Sequence, residues 1–165
     1  MFWTLAVNSP DQLRHRFAQS LSEILVVSDD VNPILNAYLG LTTYWDMLAS
    51  SGTSTYEELL GQVTRHTSMG TYLSHLQNQK ADPDLGIFPD ENYAREIMQL
   101  FSFGLVHLNR DGSLALDANN APVPTYDNAT ISEMARVFTG LSLSRIAVRD
   151  TDTCLLYTSP SPRDS

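Results

Sequence analysis

The chain has 165 residues, 42% of them apolar and 18% charged, with a net charge of −9. That length suits about one domain with a real core, and the composition is that of a globular chain, not a disordered or fibrous one. The acidity argues against a nucleic-acid backbone as the main ligand, because such binding rests on clustered Lys and Arg, and no run approaches the ~20 apolar residues of a membrane-spanning helix.

The N-terminal stretch MFWTLAVNSPDQ has neither a basic start nor a long apolar run, so it does not read as a secretory signal. Ser9 with Pro10, Asp11 and Gln12 forms a capping-box pattern. Behind it Leu13, Phe17, Leu21, Ile24 and Leu25 recur at steps of three and four, which predicts one apolar face of a helix running to Val27. Asn32-Pro33 opens a second helix with Ile34, Tyr38, Leu41, Trp45 and Leu48 on one side, closed by Gly52 as the glycine after its end. Tyr38 and Trp45 fall at core spacing and read as core, not as a ligand platform. Ser54 and Glu57 predict a capping box for a third helix carrying Leu59, Leu60 and Val63, and Met69, Tyr72, Leu73 and Leu76 predict a shorter one.

Residues 77–89 are polar, with two prolines and a glycine, and read as a loop. Asp90 then caps a helix with Tyr93, Ile97, Leu100 and Phe101 on its apolar side, ended by Gly104. From 105 to 117 the helical period breaks. Val106 and Leu108, then Leu114 and Leu116, alternate with polar positions around Asn109-Arg110-Asp111-Gly112, which predicts a short β-hairpin. Thr130 and Glu133 predict a last capping box, before Ile131, Met134, Phe138 and a stop at Gly140. No repeat is evident. The expected fold is mostly α, a bundle of about six helices with one short hairpin near 105–117.

After residue 141 the helical period fades. The string from Cys154 to Asp164 is Ser/Pro-rich and reads as the translation of a transposase-type sequencing adapter. Residues 1–141 are therefore expected to be a fragment of one larger helical domain, 142–153 an uncertain extension, and 154–165 a non-native, disordered tail. Cys154 is the one cysteine, so no disulfide or thiolate site is expected.

Several segments, taken in order, resemble the bacterial domain of unknown function 1800 family. They are Phe2-Trp3, DQLRHRFAQSLSEILVVS from Asp11, GTSTYEELLGQVTRHTSMGTYL from Gly52, PDENYAREIMQLFSFGLVHLNRDGS from Pro89 and ARVFTG from Ala135. The family's glycine in ARxFTG is usually followed by tryptophan, where this chain has Leu141. The resemblance implies a helical fold, a longer parent protein, segments of that protein packed on this one, and an exported or cell-envelope location. It implies no established reaction.

The residues best placed for chemistry lie on the helix after Asp90. Asn92 and Glu96 are four apart and share a face, and Glu91 and Arg95 share the neighbouring one. As a polar site, Asn92, Arg95, Glu96 and Arg136 would make a hydrolase-like cluster, with Glu96 as base or ligand and Arg95 clamping an anion. The competing structural reading has Arg95 and Glu96 in ion pairs that dock this helix on the ARxFTG helix, with Arg136 or Glu133 as partners. Glu96→Ala would then cost roughly 3–5 kcal/mol. The segment from Asn109 to Leu114 resembles half an EF-hand loop, but His107 and Ala118 stand where that loop needs acidic ligands, so a turn is expected there. His15, His66, His75 and His107 show no metal-ligand spacing and read as surface or hydrogen-bonded residues; neither metal nor cofactor is expected. A non-catalytic structural or binding module is the first reading, and an enzyme fragment the second.

Overall fold

Thr55 starts a helix by accepting from the Glu58 backbone N–H, while the Glu58 carboxylate accepts from the Thr55 N–H. This is the expected capping box moved one residue on. Ser54-x-x-Glu57 and Thr55-x-x-Glu58 both fit the pattern, and the Ser54 hydroxyl instead donates to the Ser51 carbonyl. A computed structural model of the chain describes residue 4 and residues 7–28, 37–143 and 156–158, with 37–39 and 156–158 described by their backbone alone. Six helices are defined among them: α1 Gln12–Ile24, α2 Ala37–Ser51, α3 Tyr56–Arg65, α4 Thr67–Tyr72, α5 Asn92–Gln99 and α6 Asn128–Val137. Strand β1 Leu141–Leu143 pairs antiparallel with β2 Leu156–Thr158. The mostly helical expectation holds. The Asn32-Pro33 start of the second helix lies outside the described residues, as does the tail apart from β2.

Helix α2 packs against α1, α3 and α4, and α5 pairs with α6. Gly52 follows α2, but not as a left-handed cap. A Cβ there would lie 3.0 Å from the Leu48 carbonyl oxygen and 3.0 Å from the Phe17 ring, so the glycine permits close approach of α1. Ala18 of α1 and Leu25, just past its end, are buried, with Leu21 packed beside them, while Leu13, Phe17 and Ile24 of the expected face are exposed. Helix α1 begins at Asp11 without a side-chain cap, and Gln12 donates to the Val7 carbonyl instead of closing a capping box. At α6 the cap is Asp127, which accepts from the Thr130 N–H and hydroxyl. Glu133 is left free to pair with Arg136.

The two helix groups meet at Tyr93 of α5, which is fully buried. Its hydroxyl is 2.7 Å from the Thr64 hydroxyl of α3, its ring stacks on His75 at 3.9 Å, and its edge meets Phe138 at 4.8 Å. The segment 73–78 carries His75 into this core. Ser74 and Gln77 both adopt left-handed backbone (φ 63° and 61°), an uncommon conformation for non-glycine residues that turns the chain on either side of the histidine.

Asn78 completes the joint. Its side chain accepts from the Asp90 N–H at 2.8 Å and donates to the Asp90 carbonyl at 3.0 Å, and its own carbonyl accepts from Gly140. Truncation would leave two partly buried backbone groups unpaired, so Asn78→Ala is expected to lower stability by about 2 kcal/mol in urea unfolding. A loss below about 0.5 kcal/mol would show the joint to be idle.

Candidate functional site

The sequence-selected cluster divides between two helices. Arg95 donates to Glu91, one turn earlier in the chain, at 3.0 Å. The other Glu91 oxygen accepts from the Ser132 hydroxyl of α6 at 2.6 Å. Arg136 pairs within α6, 3.1 Å from Glu133, and both side chains are exposed. Asn92 is exposed, and its side chain has no hydrogen-bond partner among the described residues. Glu96 is half-buried, with Oε2 buried and without a partner.

The docking link between α5 and α6 is therefore the Glu91–Ser132 hydrogen bond, not an ion pair involving Glu96. The shared face of Glu91 and Arg95 was legible from their spacing. Ser132 carried no signal, because its role depends on how the helices meet. Without a pair to break, Glu96→Ala is expected to cost less than about 1 kcal/mol in urea unfolding, well below the paired figure. A loss of about 3 kcal/mol or more would restore the paired reading.

The buried histidines have structural partners. His66 caps α4, its Nδ1 accepting from the Ser68 N–H, and its ring meets Tyr44 edge-on at 5.0 Å. Burial lowers its pKa to about 4, against a hydrogen bond with the Thr43 backbone that raises it. His75 Nε2 lies 2.9 Å from the Thr64 carbonyl, which fixes the proton on that nitrogen and leaves Nδ1 as an acceptor without a partner. Burial lowers its pKa as well. Burial also pushes the Tyr93 hydroxyl up to about 12. Among the described residues, no group of three or more His, Cys, Asp and Glu is arranged to hold a metal.

The expected hairpin is part of a larger figure. Three backbone hydrogen bonds close a ring: His107 N–H to Val123 carbonyl at 2.9 Å, Val123 to Ala115 at 3.0 Å, and Ala115 to His107 at 3.0 Å. Three short antiparallel arms leave this ring. One is closed by Asn109 donating to Ser113 at 2.8 Å, one by Asp117 donating to Ala121 at 2.8 Å, and one by Thr125 donating to Leu105 at 3.0 Å. The third arm is the stem back to the helices, tied by the Thr125 hydroxyl donating to the Gly104 carbonyl.

The donors 109, 117 and 125 are eight apart, as are the ring residues 107, 115 and 123. Left-handed backbone recurs at the same interval, at Gly112 (φ 83°) and Asn120 (φ 64°). An eight-residue repeat is thus present where none was expected. It lies in backbone conformation and turn chemistry, while the side chains differ. Asp111 and Asp117 each bond backbone N–H groups two residues on, the Asx geometry that sets such turns. Those bonds, with Asn109 donating to Ser113 and Leu114, direct the EF-hand-like groups onto their own chain, as the turn reading required.

Each arm places one apolar pair opposite the other: Val106 with Pro124, Leu108 with Leu114, and Leu116 with Pro122. Because side chains alternate along a strand, all six lie on one side of the ring. Five are exposed, Leu108 at 60%, and Val106 is half-buried. The result is an uncharged aliphatic face on a hydrogen-bonded scaffold.

Among the described residues, no helix is long and apolar enough to cross a membrane. The model of the family described as a protein of unknown function (DUF1800) matches residues 1–163. No curated protein and no solved structure matches the chain.

Proposed function

The chain belongs to the DUF1800 family of proteins of unknown function, and on that premise we propose that it is a non-catalytic structural or binding module of a larger, exported protein. Its docking surface is the aliphatic face of Val106, Leu108, Leu114, Leu116, Pro122 and Pro124, and the occupant is a further segment of the same longer protein. The observation that carries this reading is exposed Leu108, Leu114 and Leu116 on a scaffold whose backbone groups are hydrogen-bonded. Contiguous exposed aliphatic side chains on an ordered support mark a contact surface. The net charge of −9 favours such an apolar contact over a nucleic-acid partner.

The test is Leu108→Asp with Leu116→Asp, made both in this chain and in the longer protein. In this chain the pair should change stability by no more than about 0.5 kcal/mol each. In the longer protein each should cost about 2 kcal/mol or more, because a covered leucine is lost and a charge is buried. Equal, small effects in both would remove the docking role.

One observation supports a second reading, an enzyme fragment with a polar site of Asn92, Arg95, Glu96 and Arg136: Glu96 Oε2 is buried without a partner. That reading requires ester or glycoside hydrolysis by the longer protein that Glu96→Gln abolishes without unfolding it. Hydrolysis that survives the substitution excludes Glu96 as its base.

A further inference from the structure

We propose that the 73–78 segment is an acid-opened clasp, in which protonation of His75 releases the start of α5 and the Gly140–Leu143 stretch from the helical core. The geometry sets this up in three ways. First, His75 is fully buried between Tyr93 and Phe138. Its Nε2 is committed to the Thr64 carbonyl, so an added proton must go to Nδ1, where no acceptor is present among the described residues. A buried cation without a partner is the costliest polar arrangement a core can hold, and the ring must leave its slot to be solvated.

Second, the groups that face the ring do not relieve that cost. From α3 comes the Thr64 carbonyl, already used, with His66 two residues further on and itself neutral through burial. From α5 comes the un-ionised phenol of Tyr93, and from the end of α6 the hydrocarbon ring of Phe138. The charged group acting on the ring is the Asp90 carboxylate, which favours the cation but forms no hydrogen bond with it and accepts from the Asn92 N–H instead.

Third, the segment that must move is the one that holds the start of α5 and the stretch after α6. Gln77 donates to the Leu141 carbonyl at 2.8 Å, and Asn78 holds Asp90 through two bonds and Gly140 through a third. The left-handed residues Ser74 and Gln77 on either side of the histidine give the segment a more relaxed alternative once the ring is out. One proton thus undoes a defined set of contacts and leaves the α2–α3–α4 packing in place.

The test is amide hydrogen exchange, corrected for the intrinsic rate, in a chain carrying His66→Asn to remove the other buried histidine. Between about pH 7 and about pH 4.5, protection of the Asp90, Gln77 and Gly140 amides should fall by about tenfold or more, while that of Leu59 and Val63 in α3 changes by less than about twofold. Adding His75→Gln should flatten the response. Retained protection at the three amides, loss at all amides together, or the same loss with His75→Gln would overturn the clasp. Should His75→Gln not fold, NMR of the His75 ring nitrogens in the His66→Asn chain decides between the outcomes. A proton on Nε2 at neutral pH and a ring midpoint below the ordinary histidine value, with protection falling over the interval between the two, supports the clasp. A midpoint at or above that value, or protection that holds until the pH is below the ring midpoint, overturns it.

Discussion

Tyr93→Ala is expected to destabilise this chain by about 3–5 kcal/mol, the range for removing a fully buried aromatic side chain. The side chain is 0% exposed and touches each part of the core that must be held together: Thr64 on α3, His75 in the 73–78 segment, Phe138 after α6 and Phe101 after α5. Its removal leaves a ring-sized void between the helix groups, and collapse to fill it would require α5 to shift on α3. Tyr93→Phe separates packing from polarity. The Thr64 hydroxyl keeps its bond to the Leu60 carbonyl at 2.7 Å, so the loss of the phenol should cost only about 1 kcal/mol. Urea unfolding of both variants checks the pair. A Tyr93→Ala loss no larger than the Tyr93→Phe loss would mean that the ring is not the joint between the helix groups.

Acid should remove about 3 kcal/mol of stability through His66 alone as pH falls from about 6.5 to about 4. The sign follows from which form the fold prefers. Burial lowers the folded-state pKa to about 4, below the unfolded value of 6.5, so the folded state holds the neutral ring. Its contribution is fully present above the unfolded pKa and is lost as the unfolded chain takes up a proton that the folded chain refuses. His66→Asn keeps a capping oxygen for the Ser68 N–H and removes the titration. The variant should show a shallower loss of stability over that window, with a difference of at least about 2 kcal/mol at pH 4. Superimposable pH profiles would show that His66 is already protonated or already wet in the fold.

The helices and their ends were largely legible because periodicity and glycine punctuation are local properties. Tyr93, Ile97 and Phe101 are buried as their spacing required, whereas Leu100 of the same expected face is exposed, and Gly104 and Gly140 take left-handed conformations after α5 and α6. What failed was what depends on choice among equals or on neighbours. Two overlapping capping boxes at 54–58 cannot be ranked by pattern, and Asp127 outcompeted Thr130 because a carboxylate reaches both the N–H and the hydroxyl of that threonine. Leu13, Phe17 and Ile24 form an apolar stripe as read, yet a stripe says nothing of what covers it.

Of the candidate cluster, the pairing of Glu91 with Arg95 was readable from spacing. The burial of Glu96 Oε2 and the role of Ser132 were not, since both depend on the approach of α6. The ring at 107, 115 and 123 was half visible. The alternation and the Asn-Arg-Asp-Gly turn gave one arm. The second arm turns on Asn120, a residue whose left-handed conformation is permitted but not signalled by the sequence around it.

The proposed docking surface is tested most directly by carbene footprinting of Leu108, Leu114 and Leu116, in this chain and, at equal concentration, in the longer protein to which we propose it belongs. All three should label strongly here, where their exposure is 60%, 47% and 49%, and be protected in the longer protein, while the exposed Leu13 serves as the internal reference in this chain. Strong labelling of all three in both would contradict a covered aliphatic face, and with it the reading of this chain as a docking module.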